Sequence, residues 1–182
     1  MRTIVEERSQ NLVVMDVFSK LIQERIIFID SVITTSLANE IIAQLLILDA
    51  DSNKPINIYI NSPGGSVSSG LAIYDIAMRI KSPIRTICVG MAASMAAVLM
   101  LMGKERCALK HSKIMMHEVS SEVEGKTKDI EIEFKLHKDY QHSLYEIVKE
   151  KTKINNPEEA FKLDRWYSAE EAKEVGFITS II

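Results

Sequence analysis

Cysteine occurs only twice in the 182 residues, as Cys88 and Cys107. Both sit in or beside apolar segments without metal-ligand spacing, so they read as buried thiols in a reducing compartment. A basic surplus is missing too: the net charge is −3 and the pI near 5.9. That argues against nucleic acid as a partner and against a polybasic membrane patch. No long hydrophobic run is present. The longest, residues 87–102, is 16 residues, is broken by Gly90 and Ser94, and falls short of the ~20 that cross a bilayer. It reads as a buried strand followed by a buried helix. Residues 1–8 have no apolar stretch followed by a small-residue cleavage signal, so no secretory leader is expected and the cytoplasm is the expected location. Repeats, linkers and low-complexity segments are also absent. What remains, 47% hydrophobic and 26% charged residues, suits one soluble domain with a real core.

Short β-rich apolar runs alternate with helical patterns. Residues 25–29, 56–60, 84–89 and 113–116 predict strands, and helices are expected near 35–50, 67–80 and 93–102. This alternation implies an α/β fold with right-handed crossovers. Pro63-Gly64-Gly65 breaks the chain between a strand and the helix that carries Val67, Leu71, Tyr74 and Met78 at helical spacing. Ser168-Ala169-Glu170-Glu171 reads as a capping box, Gly176 as the end of that short helix, and residues 177–182 as a terminal strand. The methionines, among them Met95, Met100, Met102, Met115 and Met116, read as core filler.

From Thr127 to about Thr152 the helical pattern runs for some seven turns, roughly 39 Å. Ile130, Phe134, His137, Leu144 and Val148 make one stripe, with Leu136, Tyr140 and Ile147 beside it. Little chain follows to cover so wide a face. The helix is therefore expected to project and be buried by another subunit, which argues against a monomer.

Acyl transfer needs a nucleophile, a base, a group that orients the base, and donors for an oxyanion. Ser94 is the one polar side chain between Cys88 and Met102, just past Gly90 and at an expected helix start. It is a candidate nucleophile, or a serine that bonds back to a helix carbonyl. His117 follows an expected strand, where parallel α/β folds gather catalytic groups. It is a candidate base, or a structural histidine. His111, His137 and His142 look solvated or packed, and the four histidines show no helix-face metal spacing. Asp164 lies in a loop beside Trp166 and Tyr167, which are expected to shield it; it is a candidate orienting acid, or a turn aspartate. Gly64-Gly65 could aim backbone N–H groups at an oxyanion, or simply make a turn; no Gly-Lys-Ser/Thr follows, so a phosphate loop is excluded.

Five segments together carry a resemblance: Asn61-Ser62-Pro63-Gly64-Gly65-Ser66-Val67, Gly90-Met91-Ala92-Ala93-Ser94-Met95, Met115-Met116-His117, Thr127-Lys128-Asp129-Ile130-Glu131-Ile132 and Asp164-Arg165-Trp166-Tyr167-Ser168-Ala169-Glu170-Glu171-Ala172. In kind and order they resemble the proteolytic subunits of the Clp protease (ClpP, peptidase family S14), over the chain from about Leu21 to its end. The resemblance implies a crotonase-like fold, a repeated ββα superhelix with a long handle helix. It implies one serine peptidase domain over 1–182, with 1–20 as an axial segment and 118–152 as the handle region. By the same resemblance Ser94 matches the nucleophile, His117 the general base and Asp164 the orienting acid. Gly65 and Met95 match the residues whose N–H groups form the oxyanion hole. No cofactor is implied. The implied partners are further copies in stacked heptameric rings or a paralogue, an ATP-dependent Clp-family AAA+ unfoldase that uses the ATP, and unfolded polypeptide substrates; nucleic acid and membrane are not among them.

The sequence departs from the family in several places. Glu118-Val119-Ser120-Ser121-Glu122-Val123-Glu124 replaces a Gln-Pro and glycine-rich stretch that helps form the substrate-binding strand. Lys162-Leu163 stands where many members carry an acid and an arginine that link the rings. Arg79 takes a position usually aromatic in the groove where the unfoldase docks, and is expected to put a charge in an apolar pocket. Met91 and Ala96 replace a common Gln and Gly, and the sequence stops at Ile182 before the usual tail. A divergent paralogue with intact chemistry and altered assembly is the expectation. The alternatives are a catalytically silent ring subunit, a crotonase-type acyl-CoA enzyme that polarises a thioester at Gly65, and a membrane-associated signal-peptide peptidase.

Overall fold

Isoleucines at alternate positions start the sheet on which everything else is laid. The computed structural model describes residues 3–8, 11–120 and 124–182. In chain order, β1 (Thr3–Arg8) and β2 (Asn11–Asp16) form an antiparallel hairpin, and α1 (Val17–Gln23) leads to β3 (Ile26–Ile29). Then come α2 (Thr35–Asp51), β4 (Ile56–Ser62), α3 (Val67–Arg79), β5 (Ile84–Ala93), α4 (Met95–Met100), β6 (Glu105–Ala108) and β7 (Lys113–Met116). The remainder is α5 (Thr127–Lys151), α6 (Pro157–Ala160), β8 (Arg165–Tyr167), α7 (Ala169–Glu174) and β9 (Ser180–Ile181).

The main sheet has the order β3-β4-β5-β6-β9, with β7 pairing both β5 and β8. Every pairing in it is parallel except β7 with β8. Ile27, Ile29, Ile58 and Ile60 are buried to within 1% on alternate positions of β3 and β4, so a one-residue slip would turn all four to the other face. The six residues of α4 are all buried, which is why its sequence carries no polar face.

The expected strands and helices appear where the patterns put them, with informative differences. β5 was expected to stop at Val89 and instead runs on to Ala93. It changes partner on the way, pairing β6 through Cys88 and β7 from Met91. The Asn61 side chain accepts from Met91 N, and Ser112 Oγ accepts from Gly90 N, so the amides freed at Gly90 (φ +90°) are satisfied. The terminal strand is shorter than expected, two residues as β9. The polar start expected as an axial segment is a hairpin followed by α1, and Ser9 and Gln10 lie outside the described residues. The capping box at Ser168 and Glu171 is present. Along α5, every residue from 127 to 136 is exposed, whereas Leu144, Tyr145 and Val148 are buried.

One element had no sequence signal. Arg25 has φ +61° and is buried, with its guanidinium donating to the carbonyls of Leu48, Ser52, Lys54 and Pro55 and to Ser82 Oγ. It staples the end of α2 to the starts of β3 and β4.

Buried proton-bearing groups set the alkaline limit of this core. Burial pushes the Cys88 thiol up to about 11, against a weaker hydrogen bond from Ser112. Burial, then Glu150 and Asp75, push Tyr74 up to about 12; burial, then Glu118 and Glu158, do the same to Tyr145. The folded chain thus keeps these protons where the unfolded chain releases them, so stability falls as pH rises from about 9 towards 12. The expected outcome is a urea midpoint that drops steadily above about pH 9, with a shallower fall between about pH 9 and 11 in Cys88→Ala.

Candidate active site

Ser94 sits between the end of β5 and the start of α4 with φ +55° and ψ −124°. Arg25 and Ser94 are the two non-glycine residues with positive φ among the described residues. A β-carbon in that region costs about 1–3 kcal/mol, so the surroundings must hold it there. Ser94 N donates to Met115 O at 2.8 Å, and Ser94 O accepts from Ala97 N at 3.0 Å. The hydroxyl is left over from this backbone work. It makes no cap hydrogen bond to α4 and instead meets His117 Nε2 at 2.8 Å. The bond back to a helix carbonyl that competes for such a serine is not the one it makes.

Strand register brings the other two groups. β7 runs parallel to β5, with Ala93 opposite Met115, so the residues just beyond each strand end side by side. β7 also runs antiparallel to β8, with Ile114 opposite Tyr167 and Met116 opposite Arg165. Continued by one step, that ladder sets His117 against Asp164. His117 Nδ1 lies 3.7 Å from Asp164 Oδ1, a contact longer than a hydrogen bond. The Asp164 side chain is 66% exposed and Trp166 is 48% exposed. The expected aromatic shield over Asp164 is therefore absent: alternation along β8 turns Tyr167 into the core and Trp166 outward.

The glycine pair is bound to the turn after β3. Ile33 N donates to Gly64 O and Ser66 N to Ile33 O, both at 2.8 Å, and Gly64 N donates to Ser62 Oγ. These bonds occupy the amides on either side of Gly65. At Gly64 (φ +95°) a β-carbon would lie 2.6 Å from Ala93 O, 2.8 Å from Ser94 Cβ and 3.0 Å from Met95 N; at Gly65 (φ +148°) it would lie 2.7 Å from Ile33 N. Only glycine lets this loop close onto the serine turn. Gly65, Ser94, Met95 and His117 line one cavity of about 70 Å³. The sequence marked Gly64 and Gly65 together as N–H donors or a turn; the structure adds that the bare Cα of Gly64 makes room for Ser94.

The other residues named from sequence are dispersed. Cys88 and Cys107 are buried. His111 and His142 are exposed and His137 half-buried. Among the described residues no group of three or more His, Cys, Asp or Glu is placed to hold a metal. Arg79 is exposed at the last turn of α3 beside the exposed Met78, rather than set in an apolar pocket of this chain. Lys162 pairs with Glu159 at 2.7 Å, and Leu163 is 82% exposed. Ser121, Glu122 and Val123 lie outside the described residues. Chemically, the arrangement offers a hydroxyl within hydrogen-bond reach of an imidazole nitrogen, an aspartate on the imidazole's far side, and backbone N–H groups around a small cavity.

Comparison with known proteins gives the family. The family described as Clp protease matches residues 8–182. A protein of Bacteroides thetaiotaomicron named ATP-dependent Clp protease proteolytic subunit is 45% identical, over 98% of this chain and 84% of its own. One from Salinibacter ruber, named proteolytic subunit 1, is 42% identical over 98% of this chain and 79% of its own. A third, from Porphyromonas gingivalis, is 44% identical over 99% and 83%.

The close approach of Gly64 to Ser94 generates a test. Gly64→Ala should slow the reaction of Ser94 with a fluorophosphonate by at least about 100-fold while far-UV circular dichroism stays unchanged, because the added methyl displaces the serine turn and not the sheet.

Proposed function

The chain belongs to the Clp protease family, and we propose that in it Ser94 is the nucleophile, His117 the general base and Asp164 the acid that orients it. It is a serine-type endopeptidase. The observation that carries the assignment is the 2.8 Å contact of Ser94 Oγ with His117 Nε2, made by a serine at φ +55°. Ser94 Oγ attacks the carbonyl carbon of a peptide bond while His117 Nε2 takes its proton. Negative charge on the carbonyl oxygen is met by the Gly65 and Met95 N–H groups. His117 then gives its proton to the leaving amine, and water, deprotonated by His117, hydrolyses the acyl ester and restores Ser94. The scheme calls on no metal or organic cofactor.

The wider reading follows the family. The chain is one peptidase domain of repeated ββα units, with 1–20 as axial segment and 118–152 as handle region. It works in the cytoplasm as stacked heptameric rings, with itself or a paralogue. An ATP-dependent Clp-family unfoldase delivers unfolded polypeptide. Among the described residues no helix is long and apolar enough to cross a membrane. The exposed first half of α5, the exposed Asp164 and its 3.7 Å separation from His117 all support a site completed by assembly.

The test is labelling by a fluorophosphonate probe read by intact mass. One adduct per chain is expected, lost in Ser94→Ala and in His117→Ala. Asp164→Asn should lower kcat on a model peptide by about 10²–10⁴. A folded, assembled protein that takes no label would overturn the assignment and leave a silent ring subunit, or, if it turned over a thioester, an acyl-CoA enzyme.

A further inference from the structure

Helix α5 reaches the segment behind His117 at two successive turns. Gln141 Oε1 accepts a hydrogen bond from the Val119 backbone N–H. One turn on, the Tyr145 hydroxyl donates to Glu118 Oε1 at 3.5 Å. Between them Leu144 is buried and lines the Ser94 cavity. The strand ladder that fixes β7 ends at Met116, and residues 117–120 have no regular structure. The base therefore sits at the first residue that the sheet no longer holds, and the next backbone anchor along the chain is the bond at Val119. Val119 also packs its half-buried side chain on the core.

Gln141 makes that anchor at a cost. Its Nε2 is buried with no hydrogen-bond partner among the described residues, and an orphaned donor costs about 1–3 kcal/mol. Packing alone does not account for a carboxamide here. What it supplies is an acceptor at fixed reach for a backbone N–H two residues past the base. Small displacements of a base matter, since a misplacement of about 1 Å can cost on the order of 100-fold in rate.

We propose that Gln141 is a positioning residue for the peptidase reaction. By holding Val119 it fixes the backbone on the C-terminal side of His117, so the seat of α5 governs how the imidazole meets Ser94. This rests on His117 being the base. A positioning role differs from two alternatives that the same bond allows: a purely structural tie, and a stand-in for a peptide carbonyl that substrate must displace.

The experiment compares Gln141→Met, which keeps length and loses the acceptor, with Gln141→Glu, which keeps an acceptor at the same reach. A small fluorophosphonate reports Ser94 activation without needing an extended peptide, and a model peptide reports kcat and KM separately. Gln141→Met should label about tenfold more slowly and lose about tenfold in kcat with KM within about twofold, while Gln141→Glu stays within about threefold of wild type. Wild-type labelling by Gln141→Met overturns the proposal, whether turnover is unchanged or KM alone rises, as does a Gln141→Glu variant slowed equally. Should Gln141→Met not fold, Gln141→Asn, one methylene short, takes its place with the same expectations. A wild-type chain that takes no label would instead sink the assignment of the triad.

Discussion

The pairing of β7 on both its edges is the constraint on which the site depends. Four residues long, β7 runs parallel to β5 and antiparallel to β8. Because Ala93 lies opposite Met115 and Met116 opposite Arg165, Ser94, His117 and Asp164 fall one residue beyond paired positions on three different strands. Strand side chains alternate, so a slip of one residue would carry His117 to the opposite face and away from both partners. The hydrogen bond from Ser94 N to Met115 O extends the β5–β7 register to the serine itself. The sheet thus sets the order of the three groups before any side-chain contact is made.

That register delivers Ser94 into a backbone conformation which a serine does not choose. Three features oppose its relaxation. The apolar α4 beyond it is wholly buried and cannot turn without exposing its side chains. The amides of Ala97 and Val98 close on Ser94 O. The glycine loop, bonded on both sides to Ile33, packs its bare Cα against the turn. Holding the serine in this way leaves its hydroxyl without a local backbone partner, and so free to meet the imidazole.

The parts of this arrangement that depend on periodicity were legible in the sequence. Alternating isoleucines marked β4, helical spacing marked α3 and α5, and Ser168 with Glu171 marked the capping box. Ser94 and His117 were visible because each sits at the boundary between two such patterns. What could not be read is set by pairing at a distance. β8 is three residues long, too short to show alternation, so the antiparallel step that brings in Asp164 had no local sign. The outward turn of Trp166 follows from that step and reversed the expected shielding. The continuation of β5 past Gly90 depends on the side chains of Asn61 and Ser112, which are far away in sequence. Arg25 gave no warning either, since most of its partners are carbonyls, which every sequence has.

Helix α5 joins the site to whatever lies outside this chain. Its exposed first half carries Ile130 and Phe134 on one side and Ile132 and Leu136, all exposed, on the other. At 100° per residue these two pairs point in nearly opposite directions. A helix laid on one neighbour hides one stripe; opposed stripes are what a helix inserted between neighbours requires. The buried second half begins at Leu144, one turn beyond Gln141 and its bond to Val119. A partner that seats the exposed half therefore acts on one continuous helix, and the other end of that helix touches the segment that follows His117.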